Sequence, residues 1–166
     1  KIFSNKYFYF AYFYNNFNID VSFNQLLSFE FESYEKSNLN LSNNSLNETS
    51  LRSFNLKNVN YLNLNSNKFT KLTTDFFSQS FCIKFLHLRQ NNISFIENGT
   101  FSRMKLLLTV DLSQNLINNL HISTFYGLFN LINLNLSHNY INNIQMNLFR
   151  DLVSIEHLDL SFNQIY

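Results

Sequence analysis

The chain predicts an α/β-type repeat, a stack of coils in which each coil adds one short strand to a common parallel sheet. Three observations carry that prediction. Apolar residues recur in one frame every twenty-four positions, as Val59, Leu62, Leu64 and Phe69, then Ile83, Leu86, Leu88 and Ile93, and again from Leu107, Leu131 and Ile155. One asparagine keeps its place in every copy, at Asn67, Asn91, Asn115, Asn139 and Asn163. Inside each copy two apolar residues sit two apart, as in Leu134-Asn135-Leu136. Self-similarity at a fixed period of this size is the signature of stacked repeats.

The two-residue spacing sets the strand. On an extended backbone, side chains two apart share one face and the residue between them points the other way. So short a strand cannot bury its apolar face alone, whereas stacked copies form a parallel sheet over a continuous core. The recurring asparagine follows the strand at a turn, where a buried polar group has to be hydrogen-bonded. Its amide carries both a donor and an acceptor, which suits it to bridge main-chain groups of neighbouring coils. Asn24 and Asn44 extend this column to seven members, a structural ladder of Asn24, Asn44, Asn67, Asn91, Asn115, Asn139 and Asn163.

Taken in order, the 166 residues read as a single array. Residues 1–15 are the tail of an earlier repeat, with Ile2, Phe10 and Phe13 on apolar positions and Asn5 off pattern, or else an N-terminal flank of targeting type. Fifteen residues are too few to span a bilayer. The string from Ile19 to Leu26, I-D-V-S-F-N-Q-L, nearly repeats L-D-L-S-F-N-Q-I from Leu158 to Ile165. That match starts one unit at 16, and a second, also short, follows at 36. Full units begin at 59, 83, 107 and 131, and a partial one at 155. Both ends fall inside repeats with no capping unit, so the chain is expected to be a fragment of a longer protein.

A second column, Phe54, Phe77, Phe101, Phe125 and Phe149, stands eighteen residues after the start of each unit and reads as an aromatic spine on the return arm. With L-x-x-L-x-L-x-x-N-x-L, this phenylalanine resembles the 24-residue "typical" class of leucine-rich repeats, similar to Toll-like receptor ectodomains and related extracellular leucine-rich-repeat receptors. The resemblance implies a curved leucine-rich-repeat solenoid, with the parallel sheet on its concave face and irregular or 3₁₀ return arms on its convex face. It implies protein–protein recognition, with a protein ligand or co-receptor on the concave face. The reading that follows is part of the ligand-binding ectodomain of a Toll-like receptor, on the extracellular side of a cell-surface membrane protein, or secreted. The alternatives are a cytoplasmic interaction scaffold and a secreted matrix or guidance-type protein.

Composition narrows the partners. Twelve Lys and Arg against eleven Asp and Glu leave a net charge of +1, without the concentrated basic patch that nucleic acid or an anionic membrane demands. Membrane contact is expected only through a segment outside this chain. No phosphate loop, zinc-protease helix or nucleophile elbow occurs, so an enzyme, a cofactor or a metal is not expected. His87, His121, His138 and His157 read as separate surface histidines, and Cys82 as a small, buried thiol.

Three columns face outward along the strands. The middle one is Asp20, Asn40, Asn63, His87, Asp111, Asn135 and Asp159, and one neighbour is Asn18, Asn38, Tyr61, Phe85, Thr109, Asn133 and His157. The third is Ser22, Ser42, Asn65, Arg89, Ser113, Ser137 and Ser161. Most are small or amide residues, the neutral filler of a solvated sheet. The exception is an exposed patch of Tyr61, Phe85, His87 and Arg89 flanked by Asp111, the residue types that anchor protein interfaces. N-x-Ser/Thr glycosylation sequons stand at Asn40, Asn43, Asn47, Asn92, Asn98 and Asn135. With thirty asparagines in the chain, six sequons are no enrichment.

Overall fold

The computed structural model describes residues 10–13, 18–27, 30–33, 35–50 and 55–166, with 10–13 and 30–33 described as backbone. In chain order its strands are β1 (Phe10–Phe13), β2 (Asn18–Asp20), β3 (Glu30–Ser33), β4 (Ser37–Asn40), β5 (Val59–Asn63), β6 (Lys71–Leu72), β7 (Phe85–His87), β8 (Phe95–Ile96), β9 (Thr109–Asp111), β10 (Asn133–Asn135) and β11 (His157–Asp159). No α-helix occurs among the described residues. Seven of the strands form one parallel sheet in the order β11-β10-β9-β7-β5-β4-β2, so sequence order and spatial order agree. This is a leucine-rich-repeat solenoid, each coil laid on the one before it.

Register follows the repeat. Tyr61 faces Phe85, which faces Thr109, then Asn133, then His157, one full period per step. Earlier in the chain the steps are shorter, from Asn18 to Asn38 and from Asn38 to Tyr61. The second of these carries a register irregularity between Ser37 and Asn38, which absorbs the unequal coil lengths.

The alternation within each strand decides what is inside. Leu62, Leu64, Leu86, Leu88, Val110, Leu112, Leu134 and Leu136 are all buried, and the residues between the members of each pair face out. Each fully buried aliphatic side chain contributes roughly 1.5–3 kcal/mol of transfer free energy. Behind the sheet, Phe77, Phe101, Phe125 and Phe149 stack at centroid separations of 6.1, 6.2 and 5.9 Å. Phe101 and Phe125 are within 1° of parallel. Phe54, which the sequence assigns to the same spine, lies outside the described residues, as do Ile2 and Asn5.

The return arms are runs of tight turns closed by hydrogen bonds to the carbonyl three residues back, such as Met104 N–H to the Phe101 carbonyl at 2.9 Å and Leu131 N–H to the Leu128 carbonyl at 3.1 Å. That is 3₁₀-type geometry, which suits an arm too short for a regular helix. Two features there were not anticipated. β6 and β8 form a second parallel ladder, Lys71 with Phe95 and Leu72 with Ile96, and β1 pairs with β3, Phe10 facing Glu30. Carboxylates reinforce the arms between coils: Glu97 accepts from the amide and hydroxyl of Thr74 at 2.8 and 3.1 Å.

Candidate functional site: the concave face

Behind the concave face lies the asparagine ladder. Asn115 shows its chemistry. Its Nδ2 donates to the carbonyls of Leu112 and Leu88 at 3.0 Å and of Ser113 at 3.2 Å, while its Oδ1 accepts the Ile93 N–H at 3.0 Å. One side chain therefore ties its own turn to two segments of the preceding coil. Asn44, Asn67, Asn91, Asn139 and Asn163 repeat the pattern; among the described residues, Asn24 donates to Val21 and Ser22 of its own coil.

The residue before each ladder asparagine adopts the left-handed conformation. Phe23, Asn43, Ser66, Gln90, Gln114, His138 and Phe162 all have φ between 53° and 55°. Left-handed backbone is costly for a residue with a Cβ, so the coil imposes it where the chain leaves the sheet. No glycine marks these seven positions, and nothing in their side-chain types signals the conformation.

Two outward columns are corrected. The middle column is not neutral filler. The Oδ1 of Asp20, Asn40, Asn63, Asp111, Asn135 and Asp159 accepts the backbone N–H two residues on, at 2.9–3.2 Å. This is the Asx turn that closes a strand, and its signal, Asp or Asn followed two later by Ser or Asn, stands in the sequence. The hydroxyl and amide of Ser22 hold the Asp20 carboxyl below its ordinary value, and those of Ser161 do the same for Asp159. The third column is exposed only in part: Arg89 and Ser161 are, but Ser42, Ser113 and Ser137 are buried, the latter two with hydroxyls on Asp111 at 2.6 Å and Asn135 at 2.7 Å.

One coil breaks the rule. In the unit that begins at Ile83 the Asx position is His87, and the amide it would have served, Arg89 N–H, is taken instead by Asn65 Oδ1 from the coil before, at 2.7 Å. His87 is thereby released from the turn and lies against Tyr61, with ring centroids 5.2 Å apart. Phe85 sits on the same strand at 6.4 Å from Tyr61. Phe85 was expected to be exposed; it is half-buried, because the ring of Tyr61 on the neighbouring strand lies beside it. Arg89 is exposed, and its Nε donates to Gln114 Oε1 at 3.3 Å. Partial burial lowers the His87 pKa below its ordinary value, opposed by the charge of Asp111, which favours the neutral ring.

The sheet thus brings Tyr61, Phe85, His87, Arg89 and Asp111 onto three consecutive strands or the turn that follows. Beyond them the face opens into a hollow of about 560 Å³ walled by His87, Thr109, Asp111, Asn133, Asn135, Glu156, His157 and Asp159. The aromatic cluster with Arg89 sits mid-sheet, with amide and carboxylate residues on the strands to either side. His138 lies elsewhere, stacked on Phe162 at 4.2 Å, and His121 lies on a return arm with its Nδ1 against Ser123. No group of three metal-binding side chains forms among the described residues. Cys82, expected buried, is only half-buried, and its thiol is free.

Comparison with known proteins agrees with the coil chemistry. The leucine rich repeat family matches residues 107–165. Among solved structures, the functional domain of InlJ from Listeria monocytogenes superposes with a TM-score of 0.65 at 21% identity, covering 89% of this chain and 30% of that one. A leucine-rich-repeat protein of Leptospira interrogans gives 0.62 at 21% identity, covering 89% and 43%. Residues 107–165 thus carry the family match, and the described coils form a leucine-rich-repeat solenoid. The TLR13–ssRNA13 complex gives 0.55 at 25% identity, covering 84% of this leucine-rich-repeat chain and 25% of the receptor chain. The chain thus spans less than half the length of each of these neighbours. No curated protein matches it. Leucine-rich-repeat arrays serve in general as interaction modules, and the described coils share their fold.

Proposed function

We propose that this array is a protein-recognition module whose concave face binds a protein ligand or co-receptor, and that it forms part of the ligand-binding ectodomain of a Toll-like or related leucine-rich-repeat receptor. The observation that carries the reading is the coil at Ile83. Six of the seven coils spend their middle column on closing the strand, and that coil alone spends it on a histidine packed against Tyr61, whose ring also lies beside Phe85, with the exposed Arg89 following on the turn. Aromatic and arginine side chains on a rigid scaffold are what protein hot spots are made of. Half-burial of Tyr61 and Phe85 means little further ordering is needed on binding, which lowers its entropic cost. The carboxylates Asp111, Glu156 and Asp159 on the same face repel phosphate, which favours a protein ligand over a nucleic acid.

The receptor reading is tested on the coding sequence that flanks this chain and on intact cells. A secretion leader before the array, a membrane span and signalling domain after it, and antibody labelling without permeabilisation support it. A reading frame lacking leader and span overturns it. The concave site is tested by Phe85→Ala with Arg89→Ala. Loss of ten-fold or more in affinity for a purified partner supports the assignment, and binding within about 1 kcal/mol of the parent retires it.

A further inference from the structure

The six sequons are not equivalent once the coils are closed. Asn40-Leu41-Ser42 and Asn135-Leu136-Ser137 match the glycosylation pattern because the Asx turn asks for the same residues: each asparagine holds its Oδ1 on the serine N–H, at 3.2 and 2.9 Å, and each is half-buried in the sheet. Asn47 is pinned by the Thr49 amide at 3.0 Å and hydroxyl at 2.7 Å, the very hydroxyl of its own sequon. Asn43 sits in the left-handed position, half-buried, with Nδ2 on Ser42 Oγ at 3.3 Å. Asn92 and Asn98 differ. Both are exposed, and neither side chain makes a hydrogen bond to another described residue.

Their placement adds a second observation. Asn92 and Asn98 bracket β8, the edge of the small convex ladder that pairs only with β6. Phe95 on that strand is 56% exposed. An open strand edge carrying an exposed aromatic invites association with another chain unless something covers it.

We propose that Asn92 and Asn98 are the N-glycosylation acceptors of this array, that their glycans shield the β8 edge and Phe95, and that the other four sequons are turn devices. The inference rests on the extracellular reading, since the donor, a lipid-diphosphate-linked oligosaccharide, is met in the secretory pathway. In the transfer, Nδ2 forms a bond to the anomeric carbon, the bond from that carbon to the diphosphate breaks, one Nδ2 proton is lost and the lipid diphosphate leaves. Thr100 is buried, its hydroxyl 2.8 Å from the Glu97 carbonyl, but Asn98 itself stays exposed, so a glycan carried there is compatible with the closed coil, whereas one on half-buried Asn40 or Asn135 is not. The glycans stand on a return arm and leave the concave face open.

The chain is expressed behind a cleavable secretion leader in eukaryotic cells, and the folded, secreted product is deglycosylated enzymatically in heavy-oxygen water. Peptide mass spectrometry then reads the label. Full labelling at Asn92 and Asn98 with none at Asn40 or Asn135 is expected, and Asn92→Gln and Asn98→Gln should each remove one glycan. Label at Asn40 or Asn135, or none at Asn92 and Asn98, overturns the assignment. Should secretion fail, translation into microsomes counts glycans directly: two, falling to one in each single variant, supports it, and any other count sinks it. The extracellular reading fails separately. Native protein without glycans, beside a leader-directed chain that carries both, refutes the location and leaves the acceptor assignment standing.

Discussion

The coils that begin at Ile83 and at Leu131 share a frame, a ladder asparagine and a spine phenylalanine, and they differ in how they leave the sheet. At Leu131, Asn135 accepts the Ser137 amide and hydroxyl and the exit is closed locally. At Ile83, His87 cannot do this, and Asn65 of the previous coil supplies the acceptor. The two exits keep the same left-handed step, at His138 and at Gln90. The difference teaches that a repeat separates its duties. Inward positions are held by the packing of every neighbour, while an outward position is free to change if an adjacent coil satisfies the backbone group left behind. Such a compensated exception is a site where the surface has been used for something other than closing the coil.

Perturbations should follow that division. The largest effect belongs to the shared core: Phe101→Ala, in the middle of the stacked spine, should cost about 3–5 kcal/mol in urea unfolding. Phe149→Ala, at the half-buried end of the spine, should cost less. Equal costs would mean the stack is not a packed column.

Next comes the ladder. Asn115→Ala leaves the Ile93 amide and the Leu88 carbonyl without their partner and should lower stability by about 1–3 kcal/mol. An unchanged thermal midpoint would remove the ladder from the account of stability.

Smaller still is the exit turn. Asn135→Ala deprives a buried serine of its acceptor and should cost about 0.5–1.5 kcal/mol. His87→Ala, whose coil closes through Asn65, should leave the hydrogen bond at Arg89 N–H intact, which amide exchange at that position reads directly. Fast exchange at Arg89 in that variant would show the two exits are closed alike.

The subtlest difference is in pH. His87 titrates below 6.5 in the folded protein, so the unfolded chain takes up the proton first. Well above 6.5 both states are neutral there and the full stability is present; as pH falls through the unfolded value near 6.5 and on through the lower folded value, that contribution is lost. His87→Asn, which makes this coil resemble the one at Leu131, should flatten the stability profile over that interval. An unaltered profile would assign the titration to another group.

Much of this was legible beforehand, for a physical reason. Column membership depends only on spacing along the chain, and burial of one face of each strand follows from the pleat. Leu134 and Leu136 are therefore buried, and Asn115 bonds between coils, in the manner their spacing suggests. The Asx turns are legible too, since Asp or Asn two before Ser is their mark, although the same residues also fit the neutral filler of a solvated sheet. Other features had no local mark. Phe23, Ser66 and His138 share one left-handed φ and no chemistry. Phe85 looks exposed on its own strand, and only Tyr61 one coil earlier half-buries it.

The sequence by itself determined the period, the parallel sheet, the inward columns and the convex spine, because each follows from apolar spacing repeated often enough to stack. Tertiary structure alone decided which outward side chains are free. Asn40 and Asn92 carry the same three-residue pattern, yet one is held on a turn and the other stands in solvent. His87 is a surface residue by position and a half-buried neutral ring by contact. Those outcomes depend on the coils above and below, about twenty-four residues away, and they exist only once the register has brought those residues side by side.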